Sequence, residues 1–230
     1  DTGSVTVSGR RTENYYLQNH GAYGSATMTN VIEHSINTGA VFAGQKIGNE
    51  LFRDYFSKFG FQQKTGIDLP GEVNGDLKPL FKRGAPQVNF ATASFGQGVA
   101  VTPIELITAI AGIANHGNMM QPYVNSASAP KQIAAVISPS TARLVTHMMV
   151  SAVDKANVAA IKGYSIAGKT GTAFVPDFKH GGYTVDVIDT YVGFGPANNP
   201  RFIALIKLAE PEGAPLAGVT VVPAFRDLAQ

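Results

Sequence analysis

The sequence predicts an α+β fold, an antiparallel sheet flanked by helices, and three observations carry that expectation. Helical spacing of apolar residues dominates the first two-thirds of the chain. Runs rich in Val, Ile, Phe and Tyr take over in the last third. The turn Pro196-Ala197-Asn198-Asn199-Pro200 joins two of those runs, as in an antiparallel hairpin. Helices first, then such a sheet, then a closing helix is the order of a layered α+β domain.

Each element has its own warrant. Ser4 to Val7 reads as a short opening strand, and Ala26 to His34 as a helix. Leu51, Phe52, Tyr55, Phe56 and Phe59 repeat as the buried stripe of a helix that Asn49 can cap and Gly60 can end. Thr102-Pro103-Ile104-Glu105 combines a capping box with Pro at the first helical position. Its helix should run through Ile110 to about His116, with Gly117 as terminator. Ser138-Pro139 opens another helix, carried by Leu144, Val145, Met148, Met149 and Ala152. Ile166 to Phe174, Thr190 to Gly195 and Phe202 to Leu208 are the strands. Pro223 opens the last helix, with Phe225 and Leu228 facing in.

Composition narrows the function classes. The 230 residues are 44% hydrophobic and 15% charged, well below the usual charged fraction of about 25%. A disordered chain would be rich in charge and poor in apolar residues. Eighteen Lys plus Arg against 16 Asp plus Glu give a net charge of +2, too little for a nucleic-acid platform. With no cysteine, disulfides, thiolate metal sites and a cysteine nucleophile are excluded. No cofactor motif stands out. The window Val99 to Ala114 is too short and too interrupted to span a bilayer. The chain starts at Asp1 without an initiator Met, which reads as a cut inside a longer protein.

The sharpest local signal is Gly168-Lys169-Thr170-Gly171-Thr172-Ala173. Alternation along a strand puts Lys169 and Gly171 on one face, Thr170 and Thr172 on the other. Lys169 offers a fixed charge, Gly171 leaves room for a ligand backbone, and the threonine hydroxyls can bind a carboxylate. Gly163 to Thr170 also matches the phosphate-binding pattern G-x-x-x-x-G-K-[ST] in full. That pattern needs a strand before it and a helix after it, whereas no apolar strand precedes Gly163 and the β-prone Thr172 to Val175 and Pro176 follow.

A second signal, Ser35-Ile36-Asn37, places a hydroxyl and an amide two residues apart at a helix-to-helix turn. Taken alone, Ser and Asn there read as helix caps. His20, His34, His116, His147 and His180 show no metal-binding spacing. His34 adjoins Ser35, but neighbours on a helix do not face each other.

Together the two signals resemble the S-x-N and K-T-G motifs of the penicillin-binding proteins and serine β-lactamases, whose third motif is S-x-x-K. The flanks Phe56 to Phe61, Lys64 to Glu72, Ser94 to Gly98 leading into Val101-Thr102-Pro103, and Asp189 to Phe194 resemble class B penicillin-binding proteins. The segments Ser94 to Pro103 and Asp189 to Phe194 look more like the division enzyme than the elongation enzyme. A second triplet, Lys64-Thr65-Gly66, falls where the family has a structural turn, so the resemblance favours Lys169 as the functional lysine. It implies a peptidoglycan D,D-transpeptidase acting through a serine ester. Ser35 would relay a proton towards the leaving amine and Asn37 would hold a substrate amide. Lys169 would polarise Ser35 and attract the terminal carboxylate, with Thr170, Gly171 and Thr172 binding substrate. The Thr172 N–H would supply half of an oxyanion hole. The implied partners are the D-alanyl-D-alanine stem peptide, β-lactams, and, through the parent protein, a glycosyltransferase and division proteins. The implied location is the bacterial cell membrane, on its periplasmic or outer face, with an N-terminal anchor outside this chain.

One family motif has no acceptable match. Ser128-Ala129-Pro130-Lys131 fits S-x-x-K in form, but it follows S-x-N and Pro130 would break the helix that must align Ser with Lys. The nucleophile is therefore expected upstream of Asp1. The single transpeptidase domain at 1–230 would then be incomplete at its N-terminus, needing the upstream segment or a second chain to finish its core. The alternative is a catalytically silent scaffolding or binding module. A β-lactamase would need a water-activating group, and no constellation for one is evident.

Overall fold

A computed structural model describes residues 1–14, 21–213 and 216–230. They form two compact units, Asp1–Ala142 and Arg143–Gln230. His20 lies outside the described residues.

The first unit opens with β1 (Ser4–Val7) and β2 (Arg10–Glu13), paired antiparallel as a two-stranded sheet of their own. Among the described residues, six helices follow: α1 (Met28–Glu33), α2 (Asn37–Ile47), α3 (Asn49–Lys58), α4 (Lys78–Phe81), α5 (Gln87–Ala93) and α6 (Pro103–Ala114). The antiparallel pair β3 (Asn118–Met120) and β4 (Gln132–Ala135) comes next. Phe52 and Phe56 of α3 join Leu80, Phe90 and Ala93 in one apolar cluster, with Phe52 and Phe90 meeting edge-on at 6.0 Å. Val7, Val41 and Ala91 make a second cluster that fastens β1 to α2 and α5.

Several expectations need correction here. Asn49 is the first residue of α3 and not its cap; the flanking residue is Gly48. Leu51, placed on the buried stripe, is exposed, whereas Phe52 is buried. A stripe centred on Phe52 includes Phe56 but turns Leu51, one residue back, toward solvent. The Thr102–Glu105 capping box is present with Pro103 in the first turn, but α6 stops at Ala114 with Asn115 as its C-cap. His116 and Gly117 both adopt left-handed φ values, 56° and 93°, so the reversal begins one residue before the glycine.

α7 (Pro139–Ala156) carries the chain across the boundary, with Ser138 Oγ accepting from the Thr141 N–H. Its Met149 and Ala152 are buried as expected, but Leu144 is exposed. The second unit holds β5 (Ala167–Pro176), β6 (Tyr183–Gly195) and β7 (Phe202–Ala209) in an antiparallel sheet of order β5-β6-β7. β6 begins seven residues before the expected Thr190 because β5 and β6 stay paired from Ala167↔Phe194 to Pro176↔Tyr183. α8 (Val221–Ala229) starts two residues before Pro223 and covers one face of the sheet. Phe225, fully buried, packs on Tyr191 at 4.7 Å and on Phe202 at 6.3 Å. Leu228, expected to face in, is 70% exposed; three residues on from Phe225, it lies past the edge of the covered stripe.

Gly168 lies under the Tyr191 phenol, whose oxygen stands 1.9 Å from where a Cβ would be built. Gly168→Ala should therefore destabilise the protein by about 1–3 kcal/mol, the usual range for overpacking. Urea denaturation will measure it, with Gly168→Ala/Tyr191→Phe recovering part of the loss because the nearest clashing atom is gone.

Candidate active site

In the first unit, Ser35 sits in the connection between α1 and α2. Thr27 and Asn30 cap α1 reciprocally, and His34 ends the helix. Ser35 takes a left-handed φ of 51°. Its N–H donates to Ile32 O at 3.4 Å, and the Ile36 N–H donates to Val31 O at 3.0 Å. These two bonds, with the buried side chains Val31 and Ile36 alongside, make a Schellman motif whose left-handed position is normally glycine. A serine in that position costs about 1–2 kcal/mol relative to glycine, so a β-carbon and hydroxyl are kept at a strained point. Strain of that kind is a pointer to function.

Asn37 is the first residue of α2, whose N-cap is Ile36. Isoleucine cannot cap, and Asn37 does not cap its own helix: its Nδ2 donates to Glu13 O of β2 at 2.9 Å. The reading of Ser and Asn as caps is thus replaced by a tether for Asn37 and a helix-end turn for Ser35. The helix N–H groups find acceptors elsewhere. Buried Asn14 accepts from the Thr38 N–H at 3.1 Å and donates to both Asp1 carboxylate oxygens at 3.0 and 3.1 Å. The Thr38 hydroxyl also donates to Asp1. Asn14 and Asp1 escaped the sequence reading, although an isoleucine in the cap position was a sign that capping had to come from a distance.

In the second unit, Lys169, Thr170, Gly171 and Thr172 lie on β5, at the edge of the three-stranded sheet. The register confirms their alternation. Lys169 pairs with Val192 and Gly171 with Thr190; Thr170 pairs with Tyr191 and Thr172 with Asp189 on the other face. The partly buried Lys169 ammonium donates to Thr170 O at 3.0 Å and to Thr170 Oγ1 at 3.2 Å. Its removal from water pushes its pKa down from 10.5 to about 8. Gly171 has a reason beyond room for a ligand, since a Cβ there would stand 2.5 Å from Thr190 Oγ1. The Thr172 hydroxyl differs from expectation: it donates to Asp189 Oδ1 at 2.9 Å. Its oxygen also accepts from the Ala217 N–H at 3.4 Å.

The decoys resolve by local structure. Gly168, Lys169 and Thr170 belong to a strand and no helix follows, so the phosphate-loop pattern lacks its fold context. Lys64 is exposed in an irregular segment whose Thr65 donates N–H and hydroxyl bonds to Glu72, both at 2.6 Å. Those bonds, the hydroxyl first, hold the Glu72 pKa below its ordinary value. Ser128 to Lys131 is not helical. His34 stacks on Tyr23 at 4.7 Å, and His180 bonds Asp177 at 3.0 Å in the turn after β5.

Comparison with known proteins places this geometry. The family model "Penicillin binding protein transpeptidase domain" matches residues 2–230. Stage V sporulation protein D of Bacillus subtilis is 35% identical over 96% of the chain and 35% of its own length. Peptidoglycan D,D-transpeptidase FtsI of Escherichia coli is 32% identical over 94% of the chain and 37% of its own length. The chain thus spans little more than a third of these relatives. The transpeptidase domain of Burkholderia pseudomallei penicillin-binding protein 3 superposes with a TM-score of 0.86 at 28% identity, over 99% of this chain and 68% of that one. Penicillin-binding protein 3 of Mycobacterium tuberculosis, complexed with aztreonam, gives 0.85 at 29% identity, over 99% and 55%. The strained serine between two helices and the lysine on an edge strand are therefore carried by a chain that belongs to the penicillin-binding protein transpeptidase family.

Proposed function

We propose that this chain is the S-x-N and K-T-G part of a peptidoglycan D,D-transpeptidase of the division type. The observation that carries the reading is the setting of the two motifs. Ser35 is held at a left-handed position between helices, and Lys169-Thr170-Gly171 lies on an edge strand, in a chain of the transpeptidase family. Relatives named as peptidoglycan D,D-transpeptidases support the substrate class, and aztreonam and ampicillin complexes of a similar structure support β-lactam binding.

In the proposed reaction, the hydroxyl of a serine on an S-x-x-K segment attacks the carbonyl of the penultimate D-alanine of a stem peptide. The ester C–O bond forms as the C–N bond to the terminal D-alanine breaks. The serine proton passes to the S-x-x-K lysine, and Ser35 relays a proton to the departing amine. The amine of a second stem peptide then displaces the serine. A β-lactam follows the first half alone, its amine leaving group remaining attached through the opened ring. Lys169 attracts the substrate carboxylate, Asn37 holds a substrate amide, and the Thr172 N–H stabilises the oxyanion. The parent protein works at the bacterial cell membrane, on its periplasmic or outer face, beside a glycosyltransferase and division proteins. Among the described residues, no helix is long and apolar enough to cross a membrane.

Labelling with a fluorescent penicillin followed by peptide mass mapping tests this. The 230-residue chain alone should take no covalent label, whereas the parent protein should take one per molecule, on the S-x-x-K serine. A label on Ser35 or Ser128 would overturn the assignment of roles. A parent protein without label would favour a silent scaffolding module.

A further inference from the structure

Asp189 has no exposed surface. It lies on β6 directly across from Thr172 in the β5–β6 ladder. Its Oδ1 accepts the Thr172 hydroxyl at 2.9 Å, and its Oδ2 accepts the Thr220 hydroxyl at 2.7 Å. No ion pair to Asp189 occurs among the described residues. Burying a carboxylate without a cation is unfavourable, and two hydroxyl donors offset only part of that cost. Buried neighbours on β6, Val187, Tyr191, Val192 and Phe194, are apolar or aromatic, so packing alone does not call for an acid here.

The surroundings show what the acid holds. Thr220 occupies the N-cap of α8 yet makes no side-chain capping bond. Its hydroxyl is turned to Asp189 instead, at the expense of a cap worth about 1 kcal/mol in ordinary helices. Thr172 Oγ1, while donating to Asp189, accepts from the Ala217 N–H at 3.4 Å. Asp189 thus joins the K-T-G strand to the segment entering α8 and leaves the Thr172 side chain one orientation.

We propose that Asp189 is the positioning residue of the K-T-G strand, holding Thr172 so that its backbone N–H meets the developing oxyanion. The inference rests on the transpeptidase reading. Asp189 touches no substrate and acts through Thr172. An oxyanion donor acts in the transition state, so its misplacement lowers the acylation rate constant and leaves the affinity of the preceding non-covalent complex unchanged.

The test uses the parent protein, with rates normalised to folded, titratable active sites. Asp189→Ala should lower the β-lactam acylation rate constant by ~10–10²-fold, short of the full ~10²–10³ for deleting an oxyanion donor, with non-covalent affinity unchanged. Asp189→Asn should stay within about threefold of the unaltered protein. Its Oδ1 accepts from Thr172, and Thr220 can turn its hydrogen to Leu216 O, already 3.1 Å away. Thr172→Val should cost as much as Asp189→Ala, and the double variant no more than either. Additive losses, or an Asp189→Ala variant that acylates normally once corrected for folded protein, would overturn the inference and leave the transpeptidase reading intact. Absence of label on the unaltered parent protein overturns both.

Discussion

Lys169→Ala is expected to cut β-lactam acylation of the parent protein by about 10²–10³-fold, the scale for losing one preorganised electrostatic group, without lowering its stability. The two effects separate because burial works against this ammonium, depressing its pKa from 10.5 to about 8. Between those two values the unfolded chain binds a proton that the folded chain has released, so stability rises with pH through the window. Below pH 8 both states are protonated, and the cost of the buried charge is present in full. Alanine removes that cost and should flatten the rise between pH 8 and 10.5 in urea titrations. The same displacement should appear in the alkaline limb of acylation by the parent protein. If the ammonium attracts the substrate carboxylate, acylation should decline with an apparent pKa near 8 and not near 10.5. Lys169→Arg stays charged and should carry whatever activity it retains to higher pH. A parallel loss of stability and acylation in the alanine variant would make Lys169 a structural residue.

What could be read from the sequence divides by the range of the interaction. The α6 capping box, the β6–β7 hairpin and the alternation of Lys169 against Thr170 are local, decided within a few residues by capping, turn and pleat geometry, and the structure has each of them. The partners that hold the motifs in place are remote. Asn14 reaches Thr38 across 24 residues, and Thr220 reaches Asp189 across 31. Ile36 in the cap position hints that a distant partner is needed, but a short window names neither Asn14 nor Thr220. Gly171 shows the difference within one residue: the absence of a side chain was legible, but the Thr190 hydroxyl that forbids one lies on another strand. Amphipathic periodicity and capping signals gave no sign of the short α4 and α5, and located α3, α6, α7 and α8 without fixing the width of their buried stripes. That is why Leu51, Leu144 and Leu228 are exposed while Phe52, Met149 and Phe225 are buried. Ser35 was legible as a motif residue, but its left-handed backbone depends on the Val31–Ile36 contact that closes the Schellman turn.

Glu105→Ala should produce a larger loss of stability than Gly168→Ala, about 3–5 kcal/mol, the scale for leaving several buried backbone donors without an acceptor. Glu105 is 2% exposed and belongs to the capping box of α6. Its carboxylate does more than cap. Oε1 accepts from the Gln62 and Gly75 N–H groups at 3.1 and 3.0 Å. Oε2 accepts from Gly75 and Thr102 at 3.1 and 2.7 Å. One side chain therefore satisfies three backbone donors from three segments, and an anion is favoured at a helix N-terminus. Alanine would leave those donors without their acceptor, at about 1–3 kcal/mol for each one kept from water. Glutamine separates charge from geometry. Both oxygens of Glu105 face N–H donors, so either placement of an amide sets its NH2 against one of them. Glu105→Gln should lose roughly half of what alanine loses. Filling the vacated space from Gly75 is no remedy, because a Cβ there would stand 2.4 Å from the backbone Ala100 O even with the carboxylate gone. Urea denaturation of the parent protein and both variants measures the series. A glutamine variant as stable as the unaltered protein would mean that the carboxylate is not the acceptor these three segments require.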